Sequence, residues 1–94
     1  MFLELKGGID LVRLKNIERH ENRVTCDAYL ESCKVPVKLV YDIKKREFEE
    51  FEYPKGFEYC TQHIFMAKWF IEDTLKAKSE FPASETIMWY WYME

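Results

Sequence analysis

Cys60 and His63 stand three residues apart in the stretch "CTQH". On a helix that spacing brings two side chains toward one side, and the pair suggests two kinds of chemistry. One is a thiolate with a neighbouring base, helped by a helix N-terminus that lowers the thiol pKa. The other is zinc, with Cys26 and Cys33 completing a Cys3His set. The surroundings argue against both. Structural zinc ligands come in close pairs on knuckle loops, whereas six residues separate Cys26 from Cys33. A catalytic cysteine must be exposed beside an oriented base, and Cys60 falls on the apolar side of its segment. No G-x-S-x-G elbow, phosphate loop, H-E-x-x-H motif or dinucleotide fingerprint occurs. The expectation is a protein without catalysis, metal or cofactor.

Two charged groups come next. Glu47, Glu49, Glu50 and Glu52 alternate with aromatics in "REFEEFEY". They read as the solvated face of an outer strand, where carboxylates discourage strand addition. Lys38, Lys44, Lys45 and Arg46 form a basic group, with Tyr29 beside Lys38 in the neighbouring arm. Basic side chains and an aromatic on an open sheet are what single-stranded nucleic acid needs. The adjacent strand is acidic, however, and the net charge is -3, which disfavours a polyanion or an anionic membrane.

A third group can act without chemistry, by contact. Phe65 and Trp69 are four residues apart and fall among polar positions of the same helical segment. The chain then ends in "MWYWYME". In a strand, Trp89 and Trp91 share one face, and Tyr90 and Tyr92 share the other with Met88. Two destinations exist for these rings. One face of the tail completes a small core beneath the helix, as a domain of this size demands, while the other is exposed or meets Phe2 and Leu3. Or the rings remain outside and anchor a partner, since Trp and Tyr bury much area for few rotatable bonds. Cover for Phe65 and Trp69 would come from the N-terminal "MFLEL", read as a short strand, or from the "EFPAS" loop.

These groups must be positioned by elements that the periodicity outlines. Ile9 to Arg19 and Arg23 to Ser32 read as two arms of a hairpin turning at His20, Glu21 and Asn22, with Asn22 suited to positive φ. In the first arm Ile9 and Leu11 have one parity and Val12 and Leu14 the other, which suggests a bulge. The second arm alternates cleanly: Val24, Cys26, Ala28 and Leu30 inward, Thr25, Asp27, Tyr29 and Glu31 outward. Val35, Val37, Leu39, Tyr41 and Ile43 form the inner face of a third strand, with Pro36 near its start. Lys44 to Arg46 make a turn, and Phe48, Phe51 and Tyr53 a fourth strand with a bulge at Glu49 and Glu50. From Glu58 to Lys78 the period becomes helical, with Thr61 as a cap for a slightly later start. Its apolar stripe is Cys60, Ile64, Ala67, Ile71 and Leu75, flanked by His63, Phe70 and Thr74.

Ninety-four residues, 48% of them hydrophobic, predict a single folded α+β domain, 1–94. Four strands form an antiparallel meander because each connection is short, and one long helix packs on one face. The helix runs back along the sheet, so the tail returns antiparallel to the first strand or parallel to the fourth. Antiparallel pairing is commoner, which favours a fifth, aromatic edge strand beside the first. The odd cysteine count and the lack of an apolar leader at the start fit a reducing cytoplasm. By elimination, the functional expectation is a non-catalytic module that binds another protein or itself. Its contact residues are Phe65, Trp69, Trp89, Trp91, Tyr90 and Tyr92.

Overall fold

The computed structural model describes residues 7–92 of the chain, with side chains from 9 to 90. The elements run β1 (Gly7–Arg19), β2 (Arg23–Leu30), β3 (Val37–Asp42), β4 (Glu47–Phe48), α1 (Thr61–Ala77) and β5 (Glu85–Tyr92). The strands form one sheet in the order β4-β3-β2-β1-β5, with every neighbouring pair antiparallel. The fold is therefore α+β, a meander with one helix packed on one face.

Parity decides which face that is. Val12 and Leu14 lie opposite Leu30 and Ala28, and Cys26 and Val24 lie opposite Leu39 and Tyr41. All are buried, and the helix adds Ile64, Met66, Ala67 and Ile71 to the same core. The helix stripe differs slightly from expectation: Met66 is buried, while Leu75 is only half-buried because it lies near the helix end. Val35 is exposed, since β3 begins two residues later, after Pro36.

The bulge in β1 is present, with the β1–β2 register shifting between Lys15 and Glu18. Positive φ is adopted by Asn16 at that bulge (53°), whereas Asn22 is not among the positive-φ residues. The extra residue returns Ile17 to the core. β2 ends at Leu30, two residues before the expected limit, because Glu31 turns into the left-handed region with φ 51°.

β4 is much shorter than expected. Only Glu47 and Phe48 pair with β3, and the Glu49 amide donates to the Val40 carbonyl. Beyond it the chain leaves the ladder, yet its rings stay on the core. Tyr41, Phe48, Phe51 and Tyr53 follow one another in edge-to-face contacts at 5.3–6.1 Å. Side-chain packing, not backbone pairing, holds this segment.

The helix starts at Thr61, with Cys60 in the capping position and no side-chain cap. At the other end Lys78 is left-handed, and Lys78 and Ser79 donate backward to Leu75 and Thr74 carbonyls. That is a Schellman closure made without glycine. Phe81 then packs edge-to-face on Phe70, and the Ile17 amide donates to the Ala83 carbonyl. The loop is thereby tied to the bulge of β1, and β5 sets off beside that strand.

Lengths explain the outline of the molecule, 52 by 29 by 23 Å. Thirteen residues of β1 span about 43 Å at ~3.3 Å each. Seventeen residues of α1 span only about 25 Å at ~1.5 Å each. The helix cannot cover the whole strand. β2 pairs with β1 from Val12 onward, so Gly7 to Asp10 pair only with Trp89 to Tyr92. This end of the sheet is a two-stranded ribbon.

Candidate functional site

β5 lies antiparallel to β1 along its whole length, from Glu85 opposite Leu14 to Tyr92 opposite Gly7. Among the described residues it is the outermost strand, and its other edge pairs with none of them. Ile87, opposite buried Val12, is its contact with the core. The aromatics do not follow Ile87 inward: Trp89 is 52% exposed and Tyr90 67%. Met88 and Ile9 beside them are exposed as well. The reading in which one face of the tail completes the core is therefore overturned at Trp89, on the helix side, while Tyr90 is exposed on the other face. Both lie on the ribbon, past the end of the helix that would have covered Trp89. Trp91 and Tyr92 pair through their backbones with Gly8 and Gly7; their side chains lie outside the description.

Phe65 and Trp69 are 63% and 60% exposed on the back of α1. The loop after the helix does not cover them, because Phe81 is engaged with Phe70 instead. The "MFLEL" segment lies outside the described residues. Among the described residues the expected contact side chains do not all share one face of the sheet. Trp89 has the parity of Ile87 and Val12 and so stands on the helix side of the sheet. Tyr90 and Met88 have the opposite parity, with Ile9, Leu11 and Arg13, on the open face.

That open face is occupied by ion pairs. Lys38 meets Asp27 at 3.0 Å, and Asn16 donates to the same carboxylate at 2.8 Å. Burial works to raise the Asp27 carboxyl, but Asn16 and Lys38 outweigh it and hold the group below the ordinary range. Arg13 and Lys15 each lie 5.4 Å from the centre of the Tyr29 ring. Tyr29 is thus covered by cations and does not present a free stacking surface, and Lys38 is already paired. Lys44, Lys45 and Arg46 turn the chain around Asp42, whose side chain accepts from the Lys45 amide. They do not extend a basic track across the sheet.

The Cys60–His63 pair separates. Cys60 is fully buried, and burial, foremost, pushes its thiol above the ordinary value. Cys26 points into the core from β2, where burial raises its thiol to about 12. All three cysteines are free and buried. Among the described residues they do not gather with His63 into a metal-binding set.

His63 turns instead toward Glu31. Its Nε2 lies 2.5 Å from Oε2 of Glu31, which also accepts from the Leu11 amide at 3.0 Å. Asp10 completes the group, with the candidate donor atoms of Asp10, Glu31 and His63 within 4.8 Å of one another. Glu31 has outward parity in β2, and its left-handed backbone is what swings it to the helix side. Its amide donates to the Leu11 carbonyl, so backbone and side chain together continue the ladder at the root of the ribbon. Burial acts to raise the Glu31 carboxyl, but His63 and the Leu11 amide outweigh it and hold it low. Sequence reading missed this trio. Asp10 did carry a signal, an acid with the inward parity of Val12; Glu31 carried none.

Comparison with protein-family models, curated proteins and solved structures finds no match. Among the described residues no helix is long and apolar enough to cross a membrane.

Proposed function

We propose that this chain is a non-catalytic binding module of the cytoplasm and that its partner is a second copy of itself, joined along the free edge of β5. One observation carries the reading. β5 is an eight-residue edge strand without lysine, proline or bulge, the devices that normally protect an edge. From Thr86 to Tyr92 it bears no charge. A two-fold axis through the middle of β5 would set it antiparallel to itself, and an uncharged strand meets no like charge there. Glu85 would lie at the far ends of such a pair. The pairing would satisfy a row of backbone groups, and the cross-strand neighbours would be exposed Met88, Trp89 and Tyr90. It would also support the ribbon, since two strands alone are only marginally stable in water.

Phe65 and Trp69 form a separate apolar spot that this pairing leaves free. Sedimentation across a concentration series tests the reading. The native chain is expected to dimerise, Met88→Lys to shift it to monomer by placing like charges across the seam, and Trp69→Ala to leave the dimer intact. A native chain that stays monomeric throughout overturns the proposal. So does a dimer that survives Met88→Lys but is lost in Trp69→Ala, which would move the seam to the helix.

A further inference from the structure

We infer that Asp10, Glu31 and His63 form a binding site for a divalent transition-metal ion, zinc foremost, which ties the root of the ribbon to the first turn of the helix. The three donors come from three elements: Asp10 from β1, Glu31 from the end of β2 and His63 from α1. Their candidate donor atoms lie within 4.8 Å of one another. Donors around tetrahedral zinc stand about 3.4 Å apart, given metal–ligand distances of ~2.1 Å. Side-chain adjustment would bring donors already within 4.8 Å of one another to that spacing.

Three further features point the same way. First, His63 is only 3% exposed and its Nε2 faces Glu31, so the imidazole is held in a fixed orientation toward the two carboxylates. Second, no lysine or arginine forms an ion pair with either carboxylate among the described residues, so the His63 imidazole is the one basic group in ion-pair contact with them. Third, Glu31 holds a left-handed backbone, which costs a non-glycine residue about 1–2 kcal/mol. That conformation is what brings its carboxylate to His63.

Two oxygens and one imidazole nitrogen suit zinc in the three-ligand arrangement that keeps a position for water. Cys60 is buried in the core and does not belong to the group of neighbouring donor atoms.

The test is titration of chelator-treated protein with Zn2+ by calorimetry, alongside Asp10→Asn, Glu31→Gln and His63→Gln, with circular dichroism confirming folding. One Zn2+ per chain is expected, weakened at least about tenfold by each substitution. His63 is buried, so if His63→Gln fails to fold, half-buried Asp10→Asn decides alone. Co2+ should give visible d–d bands without a sulfur charge-transfer band. Absence of Zn2+ binding, or equal binding by Asp10→Asn, overturns the inference. A sulfur charge-transfer band with Co2+ overturns it too, by moving the metal to the cysteines. None of these outcomes depends on whether the chain dimerises.

Discussion

The two edges of this sheet are built on opposite principles. On one side β4 pairs over two residues, and the chain then abandons the ladder. Its rings continue into the core through edge-to-face contacts, and its carboxylates face water. Tyr41 donates from its hydroxyl to Glu72 of the helix at 2.6 Å, fastening this side to α1. Arg23 meets Glu49 at 2.8 Å on the rim. On the other side β5 pairs over eight residues, carries no charge from Thr86 to Tyr92 and exposes aromatics on both faces. The first edge is stabilised by packing and closed to addition by its shortness and charge. The second is held by backbone pairing to β1 and, among the described residues, remains open. Stability is thus concentrated at one side of the molecule, and contact surface is available at the other.

Substitutions can break that contrast or sharpen it. The largest effect should come from truncating the packed side: Leu39→Ala is expected to lower stability by about 2–5 kcal/mol. Trp89→Ala on the ribbon should change the stability of the monomer by less than about 1 kcal/mol. Urea unfolding of both variants checks the pair, and similar losses would show that the ribbon is part of the core. Tyr41→Phe should cost about 1.5–2 kcal/mol, since it removes a hydrogen bond to a charged group while leaving the ring in place. Thermal unfolding reads this directly.

On the open side the expected effect is on association and not on folding. Tyr90→Lys should weaken self-association at least about tenfold, roughly 1.4 kcal/mol, with little change in Tm. Light scattering at matched concentrations distinguishes this from unfolding. The smallest effect concerns pH. Asp27 is held below its ordinary pKa, so its stabilisation is fully present above the unfolded carboxylate pKa. It fades as pH falls through the lowered folded value. Asp27→Asn should flatten that part of an acid titration of stability, by less than about 1 kcal/mol because Lys38 is well exposed.

Alternation and period were enough to read much of this molecule without coordinates. The inward faces of β2 and β3, the bulge in β1, the helix and the antiparallel return of β5 to β1 all follow from local pattern and connection length. The place of Phe65 and Trp69 on the back of the helix was legible for the same reason, since spacing sets a residue's position around a helix, but whether another segment covers them was not. What parity could not say was how far each element extends. Phe48, Phe51 and Tyr53 carry strand-like residues, yet only Phe48 lies in the ladder, because three rings found packing partners that the ladder did not require.

The sequence alone determined which residues share a face, because that depends only on φ and ψ repeating along a few neighbours. Tertiary structure alone decided where the faces stop being covered. A helix of about 25 Å lies on a strand of about 43 Å, and no local rule compares the two lengths. The same holds for Asp10, Glu31 and His63: one left-handed residue and the docking of a helix N-terminus bring together groups that lie 21 and 32 positions apart along the chain.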